Sequence, residues 1–325
     1  MSMSISVSVV IAAYNQKELL SSCVRALLEQ DLRRQDAFEI IVADDGSADG
    51  TREYLEKSFS KNIKYLRQAN NGPASARNLG IKNSSGSIVA FTDADCRPDK
   101  AWLSSALKHF EDETISGVEG RTVLMNPENN TPFSHFTENL TGGRYLTCNI
   151  FYRRSVLEKA GGFDERFKLA IREDTDLAFT VLEAGGKIVF SPQTIIRHPV
   201  SGPDYGRFFK KAKEAYYDAL LYKKHPRLYR KKLKWYDGWA IPVFYYGYYV
   251  ALAAAIVGFR EIGSHYKFPL MLAGISHVLT LVHACRKKKT GLKHIIIMFF
   301  QFLIIPFIRL YWVKKGNLKF RTLVF

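Results

Sequence analysis

Cysteine is scarce in this chain. There are four among 325 residues (Cys23, Cys96, Cys148 and Cys285), widely separated. None forms a Cys-x-x-Cys pair or stands at a metal-ligand spacing, which excludes a zinc ribbon and gives no disulfide framework; the thiols read as reduced, in a cytosolic setting. The opening residues, Met1-Ser-Met-Ser-Ile, lack a basic segment followed by a long apolar one, so no secretory signal is expected. Acidic residues are nearly missing from the rear. Residues 201–325 hold 5 Asp and Glu against 23 Lys and Arg, a net of +18, whereas residues 1–200 hold 26 against 24, a net of −2. The overall charge of +16 is therefore not spread over a folded basic face, and nucleic acid is not expected as a partner. A near-neutral body with a basic, aromatic and apolar tail points to an enzyme joined to a membrane-seeking appendage.

Short apolar runs alternate with amphipathic segments through the front of the chain. Val7–Ala12, Glu39–Ala43, Ile63–Leu66 and Ser87–Phe91 read as strands. Lys17–Glu29, Thr51–Lys57 and Pro73–Ile81 read as helices, the last opened by proline. Such alternation implies an α/β fold with a parallel sheet, and ligands on such sheets sit at the carboxyl ends of the strands. Two acidic clusters, Asp44-Asp45 and Asp93-Ala94-Asp95, fall at predicted strand ends and so are expected to face one crevice. Further on, Ser116–Met125 and Lys187–Phe190 read as strands, Ser155–Ala160 and Glu173–Ala184 as helices, and Asn126–Gly143 as loop.

In the rear, Tyr205–Tyr222 places Phe208, Phe209, Ala212, Tyr216, Ala219 and Leu220 near one helical face. That suits a helix at a membrane surface and equally a helix packed on the protein body. Three apolar stretches follow. Trp239–Phe259 is uncharged and long enough to cross a bilayer; Phe268–Cys285 is shorter; Ile295–Val313 carries Pro306 and Arg309. With the basic segments on the inner side, the first two form a hairpin. The third is left to span, re-enter or lie flat.

The chemistry-bearing motifs are each weak alone. Two carboxylates at i and i+2 on a strand end can hold a hard divalent cation, Mn²⁺ or Mg²⁺, against a substrate diphosphate, although a solvated turn looks the same. Asp44-Asp45-Gly46-Ser47 makes a turn with a helix cap at Ser47 or Asp49, and offers a carboxylate for a base or ribose. Arg172-Glu173-Asp174-Thr175-Asp176 makes an acidic first helical turn suited to the helix dipole, and offers a general base for a hydroxyl.

Together, VSVVIAAYNQ, EIIVADDGSADGT, NNGPASARNLG, GSIVAFTDADC and FDERF…REDTDLAFTVLEAGG, in this order over about residues 5–195, resemble glycosyltransferase family 2, membrane-associated bacterial-type members included. The resemblance implies a GT-A catalytic domain over residues 1–200, a Rossmann-like mixed sheet. It would be followed by a basic interfacial segment (201–238) and a membrane region of two to three hydrophobic helices (239–325). It implies an inverting transfer from a nucleotide-diphospho-sugar, UDP-linked by expectation, with a divalent cation. Carried residue by residue, Ala13, Tyr14, Asp44, Asp45 and Arg77 would line the nucleotide-sugar site. Asp93 would contact the ribose or the metal's water shell, Asp95 would bind the metal, and His198 would complete its ligands. Asp174 would be the catalytic base, with Glu173 as the alternative. The QxxRW motif of processive members has no counterpart here, so a single transfer is expected. The acceptor is expected to be a lipid-linked or membrane-proximal glycan, as in polysaccharide assembly at the cytoplasmic face of the cell membrane. Two alternatives are a nucleotidyltransferase and a catalytically inactive nucleotide-sugar-binding protein. The first is opposed by Ala12-Ala13-Tyr14-Asn15, which stands where a Gly-rich basic loop would follow the first strand.

Overall fold

The computed structural model describes residues 5–32, 37–233, 267–286 and 289–324; the apolar stretch Trp239–Phe259 lies outside them. The chain divides into two compact units. One comprises Met1–Met125 with Phe136–Pro199, the other Asn126–His135 with Val200–Phe325.

The first unit holds one eight-stranded sheet in the order β3-β2-β1-β4-β7-β6-β8-β5. The strands are β1 Ile5–Ala13, β2 Ala37–Asp44, β3 Ile63–Arg67, β4 Ile88–Asp93, β5 Arg97–Pro98, β6 Ile115–Leu124, β7 Ile150–Arg153 and β8 Lys187–His198. The first four are parallel neighbours, joined by helices α1 Lys17–Leu28, α2 Thr51–Phe59 and α3 Pro73–Lys82. β7 runs antiparallel to both β4 and β6, while β6 and β8 pair in parallel. The sheet is thus mixed, as the GT-A resemblance implied, and not wholly parallel as the alternation of strands and helices alone suggested. The reversal comes from β7, too short a run to stand out in the sequence.

The core follows from these apolar runs. Val7, Val9 and Ile11 of β1 and Ile40 and Val42 of β2 are buried against Leu20, Val24 and Leu27 of α1. Fully burying a side chain of this kind stabilises by about 1.5–3 kcal/mol. On the other face α3 comes so close that a Cβ on Gly80 would lie 2.3 Å from Cγ1 of Val10, so only glycine fits there. Three further helices complete the unit: α4 Trp102–Leu107, α5 Arg154–Ala160 and α6 Glu173–Glu183.

The second unit contains α7 Arg207–Lys224, α8 Lys267–Cys285 and α9 Leu292–Phe320. Phe133, Ala212, Met298, Phe302 and Ile305 form its buried apolar cluster. The 29-residue α9 is the one helix among the described residues long and apolar enough to cross a membrane, with mean hydropathy 2.0 over an 18-residue stretch. The face of α7 that is buried includes Ala212, Ala219 and Leu220, as expected, and also Asp218.

Candidate active site

Strand register gathers the acidic clusters. Ala13 pairs with Asp44 and Ala12 with Asp93, so the carboxyl ends of β1, β2 and β4 lie at one edge. Ala13 is buried there, and Tyr14 just beyond it is 48% exposed, an aromatic surface at the strand ends.

Asp44 and Asp45 are buried and already occupied. Asp44 accepts the Ser47 N–H at 2.8 Å and a short hydrogen bond from the Tyr65 hydroxyl. Asp45 accepts the Gln68 side-chain amide at 2.7 Å and the N–H groups of Asn71 and Gly72, both at 2.9 Å. It ties the loop before α3 to the sheet. A carboxylate has about four acceptor positions, so one is left for a ligand donor. The two cap candidates divide the work: Asp49 accepts from the first-turn N–H groups of Lys17 and Thr51, while Ser47 accepts the N–H of Asn15.

Arg77 joins three elements. Its guanidinium, buried on α3, donates to Glu173 Oε1 at 2.8 Å and to Asp93 Oδ1 at 3.2 Å, over the ring of Phe163. Glu173 opens α6, where backbone N–H groups favour negative charge. Its second oxygen is buried and accepts no hydrogen bond among the described residues. Burial first, and the adjacent Asp174 charge second, push the Glu173 carboxyl upward against the pull of Arg77. Asp174 is half-buried. Its Oδ1 accepts the N–H and hydroxyl of Thr175 at 2.6 and 3.1 Å, which fixes the carboxylate and leaves Oδ2 for a substrate. Burial lifts its carboxyl above the usual aspartate range, opposed by the Thr175 bonds and Arg77.

Asp95 and His198 are brought together by a feature the sequence did not advertise. The two-residue β5 pairs with the end of β8, Arg97 opposite Arg197, and Asp99 clamps the join by accepting from the Arg197 guanidinium at 2.9 and 3.2 Å. His198 Nε2 then stands 3.8 Å from Asp95 Oδ2. Nδ1 of His198 lies 2.8 Å from the Pro199 carbonyl. That oxygen can only accept, so the proton sits on Nδ1 and Nε2 is the nitrogen that faces Asp95. One divalent ion, with ligand bonds of about 2.1 Å, can reach both donors; the carboxylate oxygen suits Mn²⁺ or Mg²⁺, and the imidazole favours the transition metal Mn²⁺ of the two. The residues fit the expected cation. Cys96 lies in the same cluster; a hydrogen bond with Cys148 and burial hold its thiol well above the ordinary range, and soft sulfur suits Mn²⁺ or Mg²⁺ less well than a carboxylate oxygen.

Sequence reasoning missed a further buried carboxylate. Glu119 of β6 accepts the N–H groups of Gly143 at 2.6 Å and Arg144 at 2.8 Å, and also that of Tyr145. It holds the turn at 142–145, and Tyr145 in turn packs edge-on against Phe179 of α6. A buried charge inside a strand pattern is the signal that points to it.

The chain matches the glycosyl transferase family 2 profile over residues 8–173. It is 31% identical over 218 residues to glycosyltransferase AglE of Haloferax volcanii, covering 63% of this chain and 70% of that protein. It is 31% identical over 177 residues to the pre-mycofactocin glycosyltransferase of Mycobacterium tuberculosis, covering 50% of this chain and 37% of that one. Among solved structures, the mannosyltransferase PcManGT from Pyrobaculum calidifontis, in complex with GDP-Man and Mn²⁺, superposes with a TM-score of 0.56 at 18% identity. The match covers 96% of this chain and 84% of that one, and it is a likeness of fold.

Proposed function

The chain belongs to glycosyl transferase family 2, and on that footing we propose an inverting enzyme that moves one sugar from a nucleotide-diphospho-sugar to a hydroxyl of a lipid-linked or membrane-proximal acceptor. The observation that carries this reading is the Arg77 bridge, which sets Asp93 and the Glu173-Asp174 pair at one guanidinium. Donor-side and acceptor-side carboxylates are thereby held in a fixed relation.

Asp174 is the base. Oδ2 takes the acceptor proton as the oxygen attacks the anomeric carbon from the side opposite the diphosphate. The new C–O bond forms, the bond to the leaving phosphate oxygen breaks, and the nucleoside diphosphate departs with the electron pair. A carboxyl lifted above the usual aspartate range is a stronger base than a solvated one. Glu173, pinned by Arg77, is a positioning residue. Asp95 and His198 would hold the divalent cation, with Asp93 at its water shell; when bound, that ion supplies positive charge against the leaving diphosphate. Ala13, Tyr14 and the remaining acceptor position of Asp45 are assigned to the nucleotide. The apolar helix α9 and the basic charge behind residue 200 support an acceptor near a membrane, with the catalytic unit on the cytoplasmic side.

The test is a panel of UDP- and GDP-linked sugars screened for Mn²⁺-dependent binding and turnover, with Asp174→Asn beside the parent. The variant is expected to bind the productive donor normally and to lose about 10²–10⁴-fold in turnover. Parent-like turnover in Asp174→Asn would sink the base assignment.

A further inference from the structure

Helices α7 and α9, both in the second unit, run side by side in the same direction. Gln301 donates to the Tyr205 carbonyl at 2.6 Å, the Phe208 ring packs on Phe302 at 4.9 Å, Tyr216 meets Trp312 at 6.1 Å, and Lys223 Nζ donates to the Phe320 carbonyl at 2.9 Å. The backbones come close: a Cβ on Gly316 would lie 2.4 Å from the Tyr216 carbonyl oxygen. Arg309, a charge inside the apolar helix, faces Asp218 of α7 at 3.8 Å.

Met298, Phe302, Ile305 and Pro306 of α9 are buried, while Ile296, Phe299, Phe300, Ile304, Phe307 and Tyr311 are exposed. Charge says what covers this exposed apolar face. Lys210, Lys211, Lys213, Lys314 and Lys315 are exposed, and the ammonium groups of Lys213 and Lys315 stand 5.3 and 4.9 Å over the Trp312 ring. Apolar side chains rimmed by lysine and interfacial aromatics complement an anionic lipid surface.

The same pairing fixes the orientation. At 29 residues, α9 is about 43 Å long, well beyond the ~30 Å hydrocarbon core. If it crossed, α7 would be carried in beside it. Yet α7 has no more than four consecutive uncharged residues, and Lys210 and Lys211 lie near the level of Phe302, mid-way along the apolar run. Lys210 is paired with Asp204 at 2.7 Å, yet an ion pair and the Lys211 ammonium at that depth are both costly. We propose that α9 does not span the membrane but lies in the plane of an anionic bilayer surface, apolar face down, with α7 as its basic flank. This rests on the membrane-proximal reading above and extends it to the mode of attachment.

The test uses full-length protein with Cys285→Ser and single nitroxide-labelled cysteines at Ile296, Phe300, Phe307 and Tyr311, which lie on one helix face and cover about 22 Å of axis. Bound to phosphatidylcholine–phosphatidylglycerol vesicles, all four labels should show the same shallow depth by oxygen and nickel-chelate collision. Affinity should fall more than about tenfold on phosphatidylcholine alone. A depth maximum mid-helix, equal affinity for neutral vesicles, or no binding overturns the proposal. Depth is read without turnover, so a protein that transfers no sugar but shows uniform shallow labels counts against the catalytic reading alone.

Discussion

Arg77→Met keeps much of the side-chain volume of α3 and removes the guanidinium that links β4 to α6. The size of the effect follows from exposure. In the Arg77–Glu173 pair the side chains are 5% and 3% exposed, so water does little to screen the loss, and stripping one partner from such a pair costs about 3–5 kcal/mol. Asp93 is 33% exposed and can rehydrate, so its share is below ~1 kcal/mol. In a unit of this size each ~1 kcal/mol lowers Tm by about 2–4 °C, which puts the expected fall at roughly 6–20 °C. The loss should depend on pH. Burial already lifts the Glu173 carboxyl, and Arg77 opposes that lift. Without the guanidinium the folded state binds a proton there that the unfolded state does not, so folded stability of the variant rises as pH falls. The penalty should therefore be smaller near pH 5 than near pH 8, a window above the ordinary glutamate value of about 4.3. The assay is thermal unfolding of the parent, Arg77→Met, Glu173→Gln and the double variant across that range. The double variant should be more stable than the sum of the single losses allows, because it leaves no unpaired charge at Glu173. A fall under about 2 °C, or additive losses, would refute the buried-bridge reasoning.

Two further outcomes test the site. Because burial holds the Asp174 carboxyl above the usual aspartate range and the base must be ionised, the acidic limb of the kcat/KM profile, which reports the free enzyme, should lie above the ordinary value of about 3.9; a limb at that value in a pH–rate series contradicts the assignment. Asp95→Asn and His198→Ala should each weaken Mn²⁺ binding at least about tenfold, with Cys96→Ser near neutral. Calorimetric titration of the ion alone reads this, and parent-like affinity in both Asp95→Asn and His198→Ala removes the pair as the metal site.

Much of this architecture is written in local pattern. The runs Val7–Ala12, Glu39–Ala43 and Ser87–Phe91 are long enough and bounded by enough turn residues to declare buried strands; β1 and β2 extend theirs at both ends, while β4 starts one residue after Ser87 and runs on to Asp93. The spacing of Leu20, Val24 and Leu27 gives α1 its buried face. What local pattern does not carry is pairing at a distance. β5 has two residues and no periodicity, yet its register with β8 sets His198 beside Asp95, about a hundred positions away. β8 itself runs to His198, well past the short strand expected at Lys187–Phe190. Arg77 and Glu173 are separated by 96 positions, so the motifs containing them look independent in the sequence.

The Glu173-Asp174 pair shows how such pairing resolves chemistry. Read along the chain, the two carboxylates compete for one role, since both are acidic first-turn residues on the same helix. In space they differ: Glu173 is spent on a buried cation, while Asp174 is oriented by Thr175 with one oxygen left over. Arg309 and Asp218 follow the same logic. Each looks like a flaw when its own helix is read alone, a cation in an apolar run and an acid on a buried face. Set against each other at 3.8 Å, they are opposite charges facing across an interface otherwise packed by Ala212, Phe302 and Ile305, so neither is a flaw when the two helices are read together.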